Sequence, residues 1–298
     1  MPVVHWEKDF LSMDTLHLER ELAKLKSKYG VFYNDFLFSI AAFSPREKDN
    51  NVQIRNFIAE YKPLADSIAH YIPNLEKPLK QIENGLKRAK VYFPHIVLPG
   101  RIITYIGPID SYGAFIDEGN IAVGLQQFLG PNYTGYQTAY INSLFGDQKI
   151  NSFSPVYIAP TALLAWITHE FPDKPGNLRM IDKMVEEGRK LYALKCLLPA
   201  LPDSVLFGYD RQQMEWCAHH SSEINDYFES SKLFDTDKAE IIIQYLSDQQ
   251  SAENQPKDFP NNIGKYVGYN IVSAFMIHEP DLKLIELLSL PLQEIANR

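Results

Sequence analysis

The sequence contains few of the residues and patterns that would indicate a function directly. It has two cysteines in 298 residues, Cys196 and Cys217, and each lies in an apolar stretch with helical spacing. This usage predicts buried free thiols, with a disulfide between the two left open as an alternative. No run of about 18 apolar residues occurs, so we expect no membrane-spanning segment in this chain.

The sequence also lacks a strongly basic region. Its formal net charge is −8, and no basic run is longer than a few residues. Nucleic-acid-binding and membrane-binding surfaces concentrate Lys and Arg, so we expect neither nucleic acid nor an anionic membrane as a partner. Residues 1–10, MPVVHWEKDF, have neither the charged nor the apolar region of a signal peptide. Either the protein is cytosolic or a targeting segment has been removed.

Motifs of catalysis are absent as well. A zinc peptidase of the common type needs two histidines one helical turn apart, and none of the histidines is four residues from another. The nearest match is HEFPD at residues 169–173, where Pro172 breaks the helix and Asp173 replaces the second histidine. No nucleophile-elbow motif or phosphate-binding glycine loop occurs. We therefore predict no metal, no cofactor and no catalytic residue, which makes an enzyme the less favoured interpretation.

Most of the chain shows the apolar repeat of amphipathic or buried helices, whereas one middle region is β-branched and aromatic. A turn at residues 117–120 within that region predicts a hairpin. The sequence therefore predicts one α+β domain over residues 1–298 that is predominantly helical with a small, antiparallel central sheet. Its parts are a helical N-terminal layer over about 1–90, three or four strands over about 91–130, a linker at 147–157, and a helical C-terminal half over about 155–298.

One helix, predicted over residues 177–199, organises the rest of the interpretation. Asn177 is its expected N-terminal cap, and its apolar face contains Glu187 and Gly188. A glycine inside a helix indicates a close backbone approach, and a carboxylate on an apolar face needs a partner. We expect Glu187 to be buried and to accept from Lys190, Tyr192 or a tyrosine of the 266–269 turn, and Glu186, about 100° away, to be more exposed. The alternative is that both carboxylates are solvated surface residues.

A second predicted helix, IGKYVGYNIVSAF at residues 263–275, has two glycines one turn apart. Such spacing clears a groove in which another helix can pack closely, and Gly188 is a candidate for the partner surface. Packing alone explains the glycines; a polar cleft is the further hypothesis. The candidate cleft residues are Glu187, Gly188, Lys190, Tyr192, Gly264, Tyr266, Gly268 and Tyr269.

Several phrases of the sequence together resemble one known family. They are WEKDF at residues 6–10, GNIAVGLQQFLGPNYTGY at 119–136, the segment from MVEEGRKLY to EWC at 184–217, and PNNIGKYVGYNIVSAFM at 260–276. With these phrases the chain resembles the gliding-motility lipoprotein GldB family of bacterial cell-envelope proteins. That family is distantly similar to predicted zinc-dependent peptidases, in which a His-Glu-x-x-His helix precedes a helix with a Glu-Gly pair.

The resemblance implies a metallopeptidase-like scaffold whose metal site has been lost. The Glu-Gly pair corresponds to Glu187 and Gly188, and the metal helix to residues 159–171, where Thr161, Ala162 and Ala165 occupy the ligand positions. Family members also have an N-terminal lipid-anchoring signal with a cysteine, so a trimmed form is expected here.

The function implied by the resemblance is that of a non-catalytic lipoprotein of the cell envelope, facing the periplasm and supporting gliding motility and secretion. Its expected partners are other envelope proteins or peptides. A divergent metal-dependent peptidase or hydrolase, and a soluble peptide-binding module, are the alternatives. The sequence does not determine an oligomeric state.

Overall fold

The computed structural model describes residues 1–176, 178–248 and 255–296. Its helices in chain order are α1 (Trp6–Leu11), α2 (Leu18–Tyr29), α3 (Val31–Asn34), α4 (Glu47–Tyr71), α5 (Glu76–Tyr92), α6 (Ala139–Asn151), α7 (Ile158–Glu170), α8 (Met180–Leu197), α9 (Asp203–Phe207), α10 (Arg211–His219), α11 (Ser221–Ser230), α12 (Ala239–Leu246), α13 (Ile263–His278), α14 (Leu284–Ser289) and α15 (Leu292–Ala296). The predicted α+β class with a helical majority is confirmed.

The chain divides into two compact units. The first contains Met1–Glu83, Val97–Gln137 and Phe153–Trp166, and the second contains Asn84–Ile96, Thr138–Ser152 and Ile167–Arg298. The single domain expected over residues 1–298 stays a prediction. Among the described helices, none is by itself long and apolar enough to cross a membrane. One broken pair, Ala139–Asn151 with Pro155–Glu170, meets the criteria of length and composition together.

The sheet of the first unit has four strands, β1 (Val3–His5), β2 (Ile102–Tyr105), β3 (Ala114–Asp117) and β4 (Asn120–Gly124), in the order β1-β2-β4-β3. β1 and β4 both pair with β2 in parallel, and β3 and β4 form an antiparallel hairpin. The hairpin prediction is confirmed, but the expectation of an antiparallel sheet is wrong. Long helical connections between strands permit parallel pairing, and the stretch between β1 and β2 is such a connection.

Two other local features differ from the prediction: the strand β1, which was not expected, and the linker at 147–157. β1 is only three residues long and continues directly into α1, so it shows no alternating pattern. The linker expected at 147–157 is wrong in part, because α6 extends to Asn151. The apolar residues of α6 are spread around the helix, and Gly146 kinks it with a φ of 71°, so no helical repeat is visible in the sequence.

The core of the first unit lies on one face of the sheet. Trp6 and Phe10 of α1, with Phe32 and Phe36 that follow α2, pack there against Ile103, Tyr105 and Ala122 of the strands. Side chains alternate along a strand, so Val3, His5, Ile102 and Thr104 lie on the opposite face. Phe36 belongs to a π-helical segment, Asp35–Ile40, that continues directly from α3.

The hairpin end of this unit contains a buried carboxyl group. Asp117, the last residue of β3, is 3% exposed. Its burial, together with the neighbouring carboxyl group of Asp35, raises the pKa of Asp117 to about 6. The turn that follows needs positive φ at Glu118 (34°) and Gly119 (82°).

The second unit is arranged around α8. This helix contacts α12, α13, α14 and α15. Asn177, its expected N-terminal cap, lies outside the described residues, and α8 begins at Met180 with Arg179 in the N-cap position. In the described part, the backbone N–H of Arg179 donates to Asp182 Oδ2 at 3.3 Å and its Nε donates to the same oxygen at 3.0 Å.

Candidate functional site

The crossing of α8 and α13 is the place where the sequence predicts a cleft. A Cβ atom added to Gly188 would overlap the carbonyl group of Gly268, and one added to Gly268 would overlap the carbonyl group of Met184. The two backbones are therefore in direct contact, and the predicted close helix crossing is confirmed. At Gly264 an added Cβ would lie 2.9 Å from Leu246 Cδ2 and 3.0 Å from Tyr245 O, so this glycine faces α12.

The two carboxylates of α8 have the opposite exposure to the one expected. The Glu187 side chain is 31% exposed and the Glu186 side chain 1%. Glu186 accepts from the backbone N–H of Lys174 through Oε1 and from Lys183 Nζ through Oε2, both at 2.7 Å. The expectation was wrong because Met184 and Gly188 face α13. Glu186 is half a turn from both residues, so it points to the opposite side of the helix, where the backbone of Lys174 lies.

The basic residues beside these carboxylates are buried and paired. Lys190 is 3% exposed and donates to Asp173, while its Nζ lies 3.9 Å from Glu187 Oε1. Lys190 is thus the partner expected for Glu187, but at the long limit of an ion pair. Burial lowers the pKa of Lys265 on α13, but the charges of Asp248 and Glu187 outweigh burial and raise that pKa.

Arg189 is a buried charge that sequence reasoning missed. It is 1% exposed, donates from Nη1 to Leu290 O at 3.3 Å, and has Nη2 at 3.9 Å from Glu186 Oε1. Burial lowers the pKa of Arg189, and the charges of Glu186 and Asp173 oppose this shift. The available signal was the run EEGRK at 186–190: four charges around a glycine in one turn of an otherwise apolar helix cannot all face solvent.

A second charged cluster lies at the start of α13. Asp248 Oδ1 accepts from Asn262 Nδ2 at 2.6 Å and from Lys265 Nζ at 2.9 Å, and Asp248 Oδ2 lies 3.7 Å from Lys149 Nζ. Burial raises the pKa of Asp248, but the two lysines and the amide outweigh burial and lower that pKa to about 2. The cluster thus ties α6 and the 248 segment to α13.

The tyrosines of the predicted cleft are only partly brought together. The rings of Tyr192 and Tyr269 lie 6.3 Å apart, and Tyr269 also packs edge-on against Phe207 at 5.3 Å. The hydroxyl group of Tyr266 instead donates to Cys217 O at 3.2 Å. Burial raises the pKa of both Tyr192 and Tyr269. These hydroxyl groups are therefore not activated as acids or bases near neutral pH.

The helix expected to carry metal ligands in a peptidase is apolar here. On α7, Ala162 is fully buried, Thr161 and Ala165 are partly buried, and His169 near the end is exposed. Within residues 1–176, 178–248 and 255–296, no group of three or more His, Cys, Asp or Glu side chains could hold a metal ion. Both thiols are free; Cys217 is buried, as expected, and Cys196 only partly so.

Comparison with known proteins gives one match. A family model described as gliding motility protein GldB matches residues 1–298, and this range includes both α8 and α13. No curated protein and no solved structure matches the chain.

Proposed function

The chain belongs to the gliding motility protein GldB family, which implies a gliding-motility-associated lipoprotein of the cell envelope, and from this premise we propose that it acts without catalysis and faces the periplasm. Other envelope proteins or peptides of the motility and secretion machinery are the proposed partners.

One observation carries the non-catalytic part of the proposal: the family-like EEGRK segment of α8 is used for internal contacts. Glu186 accepts from Lys174 and Lys183, and Lys190 donates to Asp173. Gly188 packs directly on the backbone of α13. A catalytic carboxylate needs reach to a substrate atom, and a catalytic site needs space for that substrate. Close backbone packing beside a paired carboxylate favours a structural role for this segment.

We further propose that the scaffold descends from a peptidase whose metal site was lost. The order of the segments supports this idea, since a buried helix, α7, precedes the helix with the Glu-Gly pair. In this interpretation the glycine kept its packing role after the ligand positions became Thr161, Ala162 and Ala165. Their side chains offer a single hydroxyl group, which is a poor donor set for Zn²⁺.

A complementation experiment tests the non-catalytic proposal. The gene is deleted in the source organism, and gliding is measured after expression of the natural full-length protein, of Glu187→Gln, or of Gly188→Leu. Glu187→Gln should restore gliding fully because only an exposed, weakly paired charge is lost. Gly188→Leu should fail, with a low protein level as the reason.

Two results would overturn the proposal. Loss of gliding in Glu187→Gln at the wild-type protein level would indicate chemistry at this carboxylate. For the location, protease added to spheroplasts should degrade the protein while a cytosolic marker survives. Protection of the protein under those conditions would contradict a periplasm-facing position.

A further inference from the structure

The face of the sheet opposite the aromatic core borders a cavity of about 380 Å³. Its apolar lining consists of Met1, Val3 of β1, Ile102 of β2, Leu79 of α5 and Leu75 just before that helix. Ile102 is 1% exposed and Leu79 8%, so the wall is deep. A neighbouring cavity of about 350 Å³ shares Lys8, Leu75 and Glu76 with the first one, which lengthens the available space.

Three side chains, Glu7, Thr104 and His5, are linked by hydrogen bonds that lead to this cavity. The Thr104 hydroxyl group donates to Glu7, with Oγ1 2.9 Å from Oε2 and 3.1 Å from Oε1. His5 Nδ1 lies 2.8 Å from the same hydroxyl oxygen and 3.3 Å from Glu7 Oε1. A hydroxyl group has one proton, and an ionised carboxylate only accepts. Thr104 therefore donates its one hydroxyl hydrogen bond to Glu7 and accepts a hydrogen bond from His5 Nδ1–H.

This arrangement fixes what the neutral His5 ring can offer to a ligand. With the proton on Nδ1, the neutral ring has Nε2 as a hydrogen-bond acceptor. His5 lines the cavity and its side chain is 32% exposed, whereas Glu7 is 2% exposed. Nε2 is thus the ring atom available to a molecule in the cavity, because Nδ1 faces Thr104 and the buried carboxylate of Glu7.

The electrostatics beside His5 disfavour an anionic ligand. Among the described residues, the ion-pair partner of Glu7 is the His5 ring. The pair therefore has a net charge of −1 with a neutral imidazole and 0 with a protonated one, and it is never positive. The other charges of the lining are at the rim, where Lys8, Glu76 and Lys80 are exposed and Lys80 is paired with Glu83 at 2.8 Å, so they balance one another away from His5. A ligand head group that donates a hydrogen bond is favoured, and a carboxylate is not.

We propose that this cavity binds a small aliphatic molecule that ends in a hydroxyl or ammonium group. The chain of the ligand lies against Val3, Leu75, Leu79 and Ile102, and its head group donates to His5 Nε2. The site belongs to the first unit and does not depend on the proposed function.

The test uses the purified full chain with n-hexylamine, n-hexanol and hexanoate as probes, and measures affinity by NMR titration. Hexylamine and hexanol should bind, and hexanoate should bind at least about fivefold more weakly, since one hydrogen bond is worth about 1 kcal/mol, which is a factor of about five in affinity. Leu79→Trp fills the cavity and should abolish binding of all three probes. Leu16→Trp, at a site that is 87% exposed, is the matched control and should change nothing.

His5→Ala is the second variant, and it decides the question even if Leu79→Trp does not fold. It should weaken the binding of hexylamine and hexanol by about fivefold and remove their advantage over hexanoate. Equal or tighter binding of hexanoate by the wild type, unchanged affinities in folded Leu79→Trp, or no binding of any probe would each overturn the proposal. If the His5→Ala variant keeps the expected preference among the probes, the proposal is also overturned, because His5 would not be the residue that contacts the head group.

Discussion

Two adjacent carboxylates on one helix can have very different energetic roles, because successive side chains diverge by about 100°. Glu186 is buried and accepts from the 174 backbone and Lys183, whereas Glu187 is 31% exposed and 3.9 Å from Lys190. The pair therefore offers its own internal control, with the same residue type in the same helix.

We predict that Glu186→Gln lowers the free energy of unfolding by about 1–3 kcal/mol, since a buried hydrogen-bonded charge is removed and its donors are left poorly matched. Glu187→Gln should change it by less than about 0.5 kcal/mol, because Glu187 is partly exposed and its contact with Lys190 is long, at 3.9 Å. Urea denaturation of the two variants measures both values. Equal effects would show that the α8 network does not depend on Glu186.

The buried carboxyl group of Asp117 should make stability depend on pH. Its folded-state pKa of about 6 lies above the ordinary value of 3.8, so the folded chain binds this proton more tightly. The resulting stabilisation is complete below the ordinary value and is lost as pH rises through about 6. Asp117→Asn should raise the free energy of unfolding above pH 7 by on the order of 1 kcal/mol and flatten its dependence between pH 4 and 6.

Thermal unfolding of wild type and variant from pH 4 to pH 8 checks this. Asp35→Asn should remove part of the same dependence, because the carboxyl group of Asp35 contributes to the shift. A variant that gains no stability above pH 7 would mean that Asp117 is ionised without cost.

At the scale of elements, the α8–α13 crossing depends on the absence of two side chains. Alanine normally stabilises a helix by about 1 kcal/mol relative to glycine. At Gly188 its methyl group would overlap the backbone of α13, and the helices would have to separate. We predict that Gly188→Ala lowers the free energy of unfolding by roughly 1–3 kcal/mol.

Gly264→Ala is the matched control for this change. Its added methyl group would lie 2.9 Å from the end of the flexible Leu246 side chain and 3.0 Å from the backbone oxygen of Tyr245, which is a looser fit than the overlap at Gly188, so the cost should be smaller. Calorimetric melting of the two variants gives the comparison. A Gly188→Ala protein as stable as the wild type would contradict direct backbone contact.

Elements with a strong local signal could be predicted from the sequence, and those defined by distant contacts could not. The 117–120 turn and the apolar repeats of α8 and α13 are local, and the structure has these elements where expected. β1 forms only because it pairs with β2, whose residues are about 100 positions later. The same distance hid the Glu7–Thr104–His5 chain. Glu186 was misjudged because the sequence gives the period of a helix but not its rotation toward each neighbour.

For the whole molecule, we predict that the purified protein does not bind zinc stoichiometrically. Asp173, the residue in place of a second histidine, accepts from buried Lys190, and His169 is exposed near the end of α7. Added Zn²⁺ should leave the melting temperature unchanged, since stabilisation requires a site in the folded state. Elemental analysis showing one zinc per chain, displaced by chelator with a fall in melting temperature, would contradict this and reopen the hydrolase alternative.

The parallel pairing of β1 with β2 also sets an order of events during biosynthesis. The strand at Val3–His5 leaves the ribosome about 100 residues before Ile102–Tyr105, its partner in the sheet. At roughly 5–20 residues per second, this interval lasts about 5–20 s. Throughout it, the apolar Val3 and Val4 have no sheet to join, and Glu7 has no Thr104 from which to accept a hydrogen bond. Until residue 105 has been made, the N-terminal strand and Glu7 therefore lack the partners that they have in the folded first unit.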